Sequence, residues 1–286
     1  MKHSYKFILN LLVGALLVCR AGFSETSAPF ALITVPKAGS HLVMKALYFL
    51  TGSKPIWHTK FPSNQYIPVE SGFLYTHFCL SPQLESDYSE LLKLKKMIVI
   101  RDLRDVAISM VNQIKKNHWP GLAKEQRDYF LSLDLDEQLL FVINFQYDPY
   151  EVRAFAPNSL QVSLKAVASQ AAQYHKKQEI LTIRYEDLVG SLGGGCDDLQ
   201  LSTLTQIKKF LSLDLTEDQI KEIATKLYGN QQNPFGKAGM KNFSSTFQKG
   251  KIGKWKEVFK PIHKQAFKDL LGKELIELGY EIDNTW

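Results

Sequence analysis

An α/β fold, with a mostly parallel central sheet flanked by helices, is what three features of the 286-residue chain predict. Short apolar runs recur at 30–35, 97–100 and 180–184, as in parallel strands buried on both faces. Segments with helical apolar spacing separate them. Each run gives way to a polar or basic stretch, at the sheet edge where open α/β sheets bind ligands.

Taken in order, Phe30-Ala31-Leu32-Ile33-Thr34-Val35 reads as a strand. The loop Pro36-Lys37-Ala38-Gly39-Ser40-His41 follows, then a helix over 42–50 closed by Thr51-Gly52. Residues 53–71 are rich in Pro, Ser and aromatics, without a period, and read as a loop or lid. Residues 72–75 form a short β-prone run ending at Thr76-His77. A helical stretch at 90–94 precedes the strand 97–100, which runs into Arg101-Asp102-Leu103-Arg104-Asp105. Asp105 is expected to cap a helix over 106–116, which Asn117-His118-Trp119-Pro120-Gly121 breaks. Residues 122–157 are aromatic and mixed in sign and yield no firm element.

Further on, a helix fits 159–178 and a buried strand 180–184, followed by Tyr185-Glu186-Asp187-Leu188. Gly193-Gly194-Gly195 marks a flexible loop, and 201–211 is amphipathic. Thr216 with Gln219 has capping-box spacing for a helix running to 228. Residues 230–253 are polar and glycine-dotted, and a last helix spans 261–278. There are no internal repeats and no dividing linker, so 25–286 is expected to be a single domain.

Composition is that of an ordinary globular protein: 45% hydrophobic and 22% charged. The net charge is +6, but the first 24 residues hold Lys2, Lys6 and Arg20 and no acid. The remainder, at +3, does not call for nucleic acid; a local anion site explains the clustered lysines. Residues 1–24 resemble a secretion signal: two lysines, an apolar run from Phe7 to Cys19 interrupted by Asn10, then Gly22 and Ser24 for cleavage. The run is short for a membrane span. It predicts a secreted or extracytoplasmic protein, with membrane contact at most through this leader. A signal-anchor, or an apolar helix of a cytoplasmic protein, is the alternative. Cys79 and Cys196, the two cysteines beyond it, have no metal-ligand spacing and read as free thiols, a single disulfide being the lesser option.

The loop after the first strand carries the chemistry. Amides at a helix start can hold an anion. Gly39 allows close approach, Ser40 adds a hydroxyl and Lys37 a charge. A Walker loop puts its lysine after the last glycine, directly before Ser or Thr; Lys37 precedes the glycine, so an ATP or GTP loop is disfavoured. His77 and Arg101 also leave predicted strands, and Ser109 lies about one turn into the next helix. Arg101 with Ser109 suits a second phosphate. Each residue alone also has an ordinary role: a turn, an Arg101 pair with Asp102 or Asp105, a small helix residue, a structural histidine.

Thr34-Val35-Pro36-Lys37-Ala38-Gly39-Ser40 resembles the 5′-phosphosulfate loop of sulfotransferases that use 3′-phosphoadenosine 5′-phosphosulfate (PAPS). Arg101-Asp102-Leu103-Arg104-Asp105-Val106-Ala107-Ile108-Ser109 resembles their 3′-phosphate motif. Thr76-His77 stands where that family keeps its catalytic histidine, and Tyr185-Glu186-Asp187-Leu188 resembles a segment near its nucleotide. Residues 247–256, including Lys249 and Gly250, resemble its C-terminal motif. The matches keep family order from Thr34 to Trp255. The resemblance implies a P-loop-like sulfotransferase fold and PAPS as cosubstrate. It further implies His77 as general base and Lys37 stabilising the leaving oxygen. The amides from Ala38 through Gly39, Ser40 and His41 to Leu42 would hold the 5′ phosphate. Arg101, Ser109 and Lys249 would hold the 3′ phosphate, with Tyr185 and Gly250 beside the nucleotide.

A sulfuryl group carries less charge than a phosphoryl group, so amides and a lysine suffice to stabilise its transfer and no metal is expected. Three positions depart from the family. Leu42 replaces the usual adenine-stacking Trp, leaving that role to Tyr185, Phe235 or Phe243; Gln248 replaces an Arg; Ala38 replaces a Ser. Leu42 and Gln248 support an alternative: a non-catalytic nucleotide-binding or secreted interaction protein on the same fold. The acceptor class expected is a small-molecule or lipid hydroxyl; aromatics of 61–78 and 119–150 suit an apolar acceptor pocket or, the more frequent role of such residues, core and lid packing. Neither the acceptor itself nor the oligomeric state is legible in the sequence.

Overall fold

A computed structural model describes residues 30–57, 72–76, 94–116, 124–145, 163–229 and 250–286. Its centre is a five-stranded, fully parallel sheet in the order β2-β3-β1-β4-β5. The strands are β1 (Phe30–Thr34), β2 (Lys54–Trp57), β3 (Gly72–Thr76), β4 (Lys95–Ile100) and β5 (Ile180–Arg184). The mostly parallel α/β fold expected from the apolar runs is therefore the fold observed.

β1 and β4 are the middle pair, in register from Phe30 opposite Lys95 to Thr34 opposite Val99. Strands flanked by others and covered on both faces must be apolar throughout; all five residues of β1 are buried, as are five of the six in β4. β2 corrects the loop expected over 53–71. It is a four-residue edge strand containing Pro55, and an edge is where a sheet tolerates a residue that cannot donate to the ladder.

After β1 the chain crosses to the β3 and β2 side; after β4 it crosses to β5. The loops leaving β1 and β4 thus diverge from neighbouring strand ends, which opens a crevice at the sheet's C-terminal edge. Helix α1 (Ser40–Thr51) follows β1, and α2 (Leu103–Lys115) follows β4. The cap of α2 is Asp102 rather than Asp105: its carboxylate accepts from the Arg104 amide at 3.0 Å, and the helix starts three residues earlier than expected. Asp105 sits within the first turn and has another partner.

The described residues of 122–157 form two helices, α3 (Lys124–Ser132) and α4 (Leu135–Asn144). A capping box between Asp134 and Glu137 starts α4, a local signal legible in the sequence but hidden by the mixed charge around it. Helix α5 (Leu164–His175) is capped by Ser163 and precedes β5. The short α6 (Tyr185–Leu188) follows β5 directly. α7 (Asp197–Leu211) and α8 (Glu217–Leu227) come next, α8 with the Thr216–Gln219 box the spacing predicts. The short α9 (Trp255–Val258) leads to α10 (Pro261–Glu277), whose Pro261 occupies a first-turn position where a missing N–H costs nothing. Among the described residues no helix is long and apolar enough to cross a membrane, and Cys196 is a free, exposed thiol. The leader, Cys79 and most of 230–253 lie outside the described residues.

Candidate functional site

The loop after β1 is built by backbone geometry. Val35 extends the ladder by donating its N–H to the Val99 carbonyl at 3.2 Å. The Ala38 amide turns back onto the Val35 carbonyl at 3.0 Å, and the Leu42 amide donates to the Gly39 carbonyl at 2.9 Å. Lys37 and Gly39 both take left-handed conformations, φ 68 and 92. For lysine that is an uncommon backbone state, held here by its surroundings. The Ser40 hydroxyl donates to Thr34 Oγ1 at 2.8 Å and pins the helix start to the strand end. The anion cradle expected from Ala38 to Leu42 is thus narrower: the Ala38 and Leu42 amides already donate within the protein. Those of Gly39 and Ser40 donate to nothing among the described residues.

Arg101 leaves the end of β4 and reaches across to that loop. Its Nη1 donates to the Lys37 carbonyl at 3.3 Å and its Nη2 to the Lys251 carbonyl at 3.0 Å. Nη2 also lies 3.7 Å from Asp105 Oδ2. The guanidinium carbon stands 4.5 Å from the centre of the Tyr185 ring. Arg101 Nε is buried and has no hydrogen-bond partner among the described residues. A buried N–H without an acceptor is costly, and an arriving anion would relieve it.

Tyr185, at the start of α6, packs against Gly39 and donates its hydroxyl to the Gly250 carbonyl. Burial pushes its phenol up to about 12, so it remains a donor throughout the physiological range. Tyr185 is 4% exposed, with Gly39 against the Cδ2–Cε2 side of its ring and the Arg101 guanidinium near its centre. Leu42 packs on the core, and Phe235 and Phe243 lie outside the described residues.

The segment after Gly250 is tied down by Asp105, whose two oxygens accept from the amides of Gly253 (2.7 Å) and Trp255 (3.0 Å). One turn of α2 therefore carries both Asp105, which holds this segment, and Arg104, which anchors it from below. Arg104 is 2% exposed. It pairs with Asp102 (Nε to Oδ1 2.9 Å, Nη2 to Oδ2 2.8 Å) and with Glu281, and lies 3.7 Å from the Trp255 ring and 4.5 Å from that of Trp286. Glu186 accepts from the Asp102 amide at 2.9 Å and from the Tyr280 hydroxyl at 2.9 Å. Burial raises the pKa of Glu186, and these hydrogen bonds oppose the rise.

The Lys37 ammonium donates to Gln113 Oε1 of α2 at 2.8 Å. Burial, then the charges of Arg101 and Lys116, lower its pKa from 10.5 to about 8. Burial and the Lys37 charge lower His41 to about 4, so that imidazole is neutral at ordinary pH. Among the described residues no carboxylate contacts Lys37, while Arg101 has Asp105 beside it.

The structure thus brings together Lys37, Gly39, Ser40, His41, Arg101, Tyr185 and Gly250. Ser109 is half-buried on α2, four residues before Gln113. His77, Lys249 and Gln248 lie outside the described residues; His77 directly follows Thr76, which pairs with Ile33 of β1. Among the described residues no group of His, Cys, Asp or Glu is arranged to hold a metal ion. Sequence reasoning missed Gln113, although its four-residue spacing from Ser109 places both on one helix face. It also missed the roles of Asp105 and Glu186, for which no local signal exists.

Fold and site define an α/β architecture with a basic crevice where the strand order reverses. The chain belongs to the sulfotransferase domain family, whose model matches residues 29–279. Its fold is similar to that in the crystal structure of mouse sulfotransferase SULT7A1 complexed with PAP. That match has a TM-score of 0.56 and 17% sequence identity, and covers 88% of this chain and 86% of the other. A search of curated protein sequences returns no significant match.

Proposed function

We propose that the protein moves a sulfuryl group from PAPS to a hydroxyl acceptor. The observation that carries this reading is the meeting of two cationic residues from separate strand ends, Arg101 Nη1 donating to the Lys37 carbonyl at 3.3 Å. The residues present fit such a ligand: among the described residues Arg101 Nε is buried without an acceptor, and the Gly39 and Ser40 amides have no acceptor. PAPS would supply a sulfuryl group bonded to a phosphate leaving group.

Lys37 and the Gly39 and Ser40 amides would hold the 5′ end, Lys37 neutralising charge that develops on the departing phosphate oxygen. Arg101, with Ser109 and Lys249, would hold the 3′ phosphate. His77 would take the acceptor hydroxyl proton as that oxygen bonds to sulfur. The chain would release 3′-phosphoadenosine 5′-phosphate and the sulfate ester. We extend the reading to residues 1–24 as an export leader, which fractionation of cells expressing the chain with and without them would test.

The deciding experiment is a thermal-shift titration with 3′-phosphoadenosine 5′-phosphate against 5′-AMP and ATP, with and without Mg²⁺. A metal-independent preference for the 3′-phosphorylated ligand is expected. Equal shifts for all three would leave the family fold without this cosubstrate.

A further inference from the structure

Lys37 is held by a neutral group. Its Nζ lies 2.8 Å from Gln113 Oε1, reached across 76 positions of sequence. Gln113 is 7% exposed, on the third turn of α2, and its backbone is fixed by the helix. The orientation is unambiguous, since an ammonium has no lone pair and must face the amide oxygen. We infer that Gln113 is the positioning residue for Lys37: its amide oxygen fixes where the ammonium points and, carrying no charge, leaves that ammonium unneutralised for an anionic ligand.

A carboxylate at 113 would hold Lys37 equally well but would compete with the ligand for its charge. The ionisable groups that face Lys37 among the described residues support this. Arg101 approaches from the end of β4 and Lys116 from the end of α2, both cationic; His41 from α1 is neutral near pH 7. A neutral holder in that company keeps the lysine poised near its own protonation midpoint of about 8. A glutamate would move that midpoint up by roughly one pH unit or more. The role of Gln113 toward a ligand rests on the proposed function; its hold on Lys37 does not.

The test uses the full chain and two variants, Gln113→Glu and Gln113→Met, with circular dichroism as the folding control. In the ligand-free protein, the pH dependence of Lys37 reductive methylation is followed by mass spectrometry. The Glu variant is expected to shift the midpoint upward, and the Met variant to leave Lys37 methylated faster than in the parent at equal protonation. In parallel, binding of inorganic pyrophosphate and of 3′-phosphoadenosine 5′-phosphate is measured. Both variants should bind pyrophosphate about tenfold or more weakly, Glu by competition and Met by loss of orientation. An unshifted Lys37 midpoint in the Glu variant overturns the inference, as does a Met variant that matches the parent in both readouts. If the nucleotide binds neither parent nor variant while the midpoint shifts, the proposed cosubstrate fails and the positioning role stands.

Discussion

The Tyr185 ring lies so close to Gly39 that a methyl group at position 39 would overlap Cδ2 and stand 2.5 Å from Cε2. Gly39 also has φ 92, a conformation that side chains disfavour. Gly39→Ala should therefore destabilise the protein by about 2–4 kcal/mol, combining left-handed strain with overpacking. Urea denaturation would show it, and a cost below 1 kcal/mol would mean the ring moves aside.

Lys37 links stability to pH with a definite sign. Its pKa falls from 10.5 to about 8 on folding, so between those values the unfolded chain holds a proton that the folded chain has released. Stability from this group therefore rises with pH across that window, and its penalty is fully present below about pH 8. Lys37→Met should be more stable than the parent at pH 7, by at most about 3 kcal/mol and less where solvent reaches the ammonium. The gap should close towards pH 10.5 in thermal unfolding. A gap that does not change with pH contradicts the assignment.

Arg101→Lys keeps the charge and loses the fork that spans the Lys37 and Lys251 carbonyls. Affinity for 3′-phosphoadenosine 5′-phosphate should fall about 10- to 100-fold, and affinity for 5′-AMP much less. Calorimetric titration of both ligands makes the comparison; equal losses would place Arg101 away from the 3′ phosphate.

Asp105→Asn leaves a single acceptor for two amides, those of Gly253 and Trp255, and turns an NH₂ group toward one of them. A loss of about 1–3 kcal/mol is expected. Faster proteolysis near 250–255 should accompany it. Unchanged denaturation and cleavage would show that Arg104 alone suffices to anchor this segment.

His77→Ala should lower sulfuryl transfer by roughly 100-fold or more while binding of 3′-phosphoadenosine 5′-phosphate is kept. Rate and binding measured on one preparation separate the two effects. Full activity on the acceptor would remove His77 from the chemistry.

The strands at 30–34, 97–100 and 180–184, the Thr216 cap and the strand–loop–helix at Lys37 were all legible in the sequence, because each depends on residues close together along the chain. β2 was not, because its Pro55 signals a break and only pairing with β3 makes an edge strand of it. Helices α3 and α4 were obscured by mixed charge, although the Asp134 box was in plain view.

Of the site, the sequence by itself determined which residue types stand at the strand ends: a lysine and glycine after β1, an arginine after β4. Tertiary structure decided what they do to one another. Asp105 caps no helix and instead holds amides 148 and 150 residues away. Tyr185 is packed by Gly39 and by Arg101, residues that follow two other strands. Lys37 finds a neutral partner in Gln113. Local propensity fixes backbone elements within a few residues, but the partner of a buried side chain is chosen by whichever element the fold packs against it, and no local pattern encodes that choice.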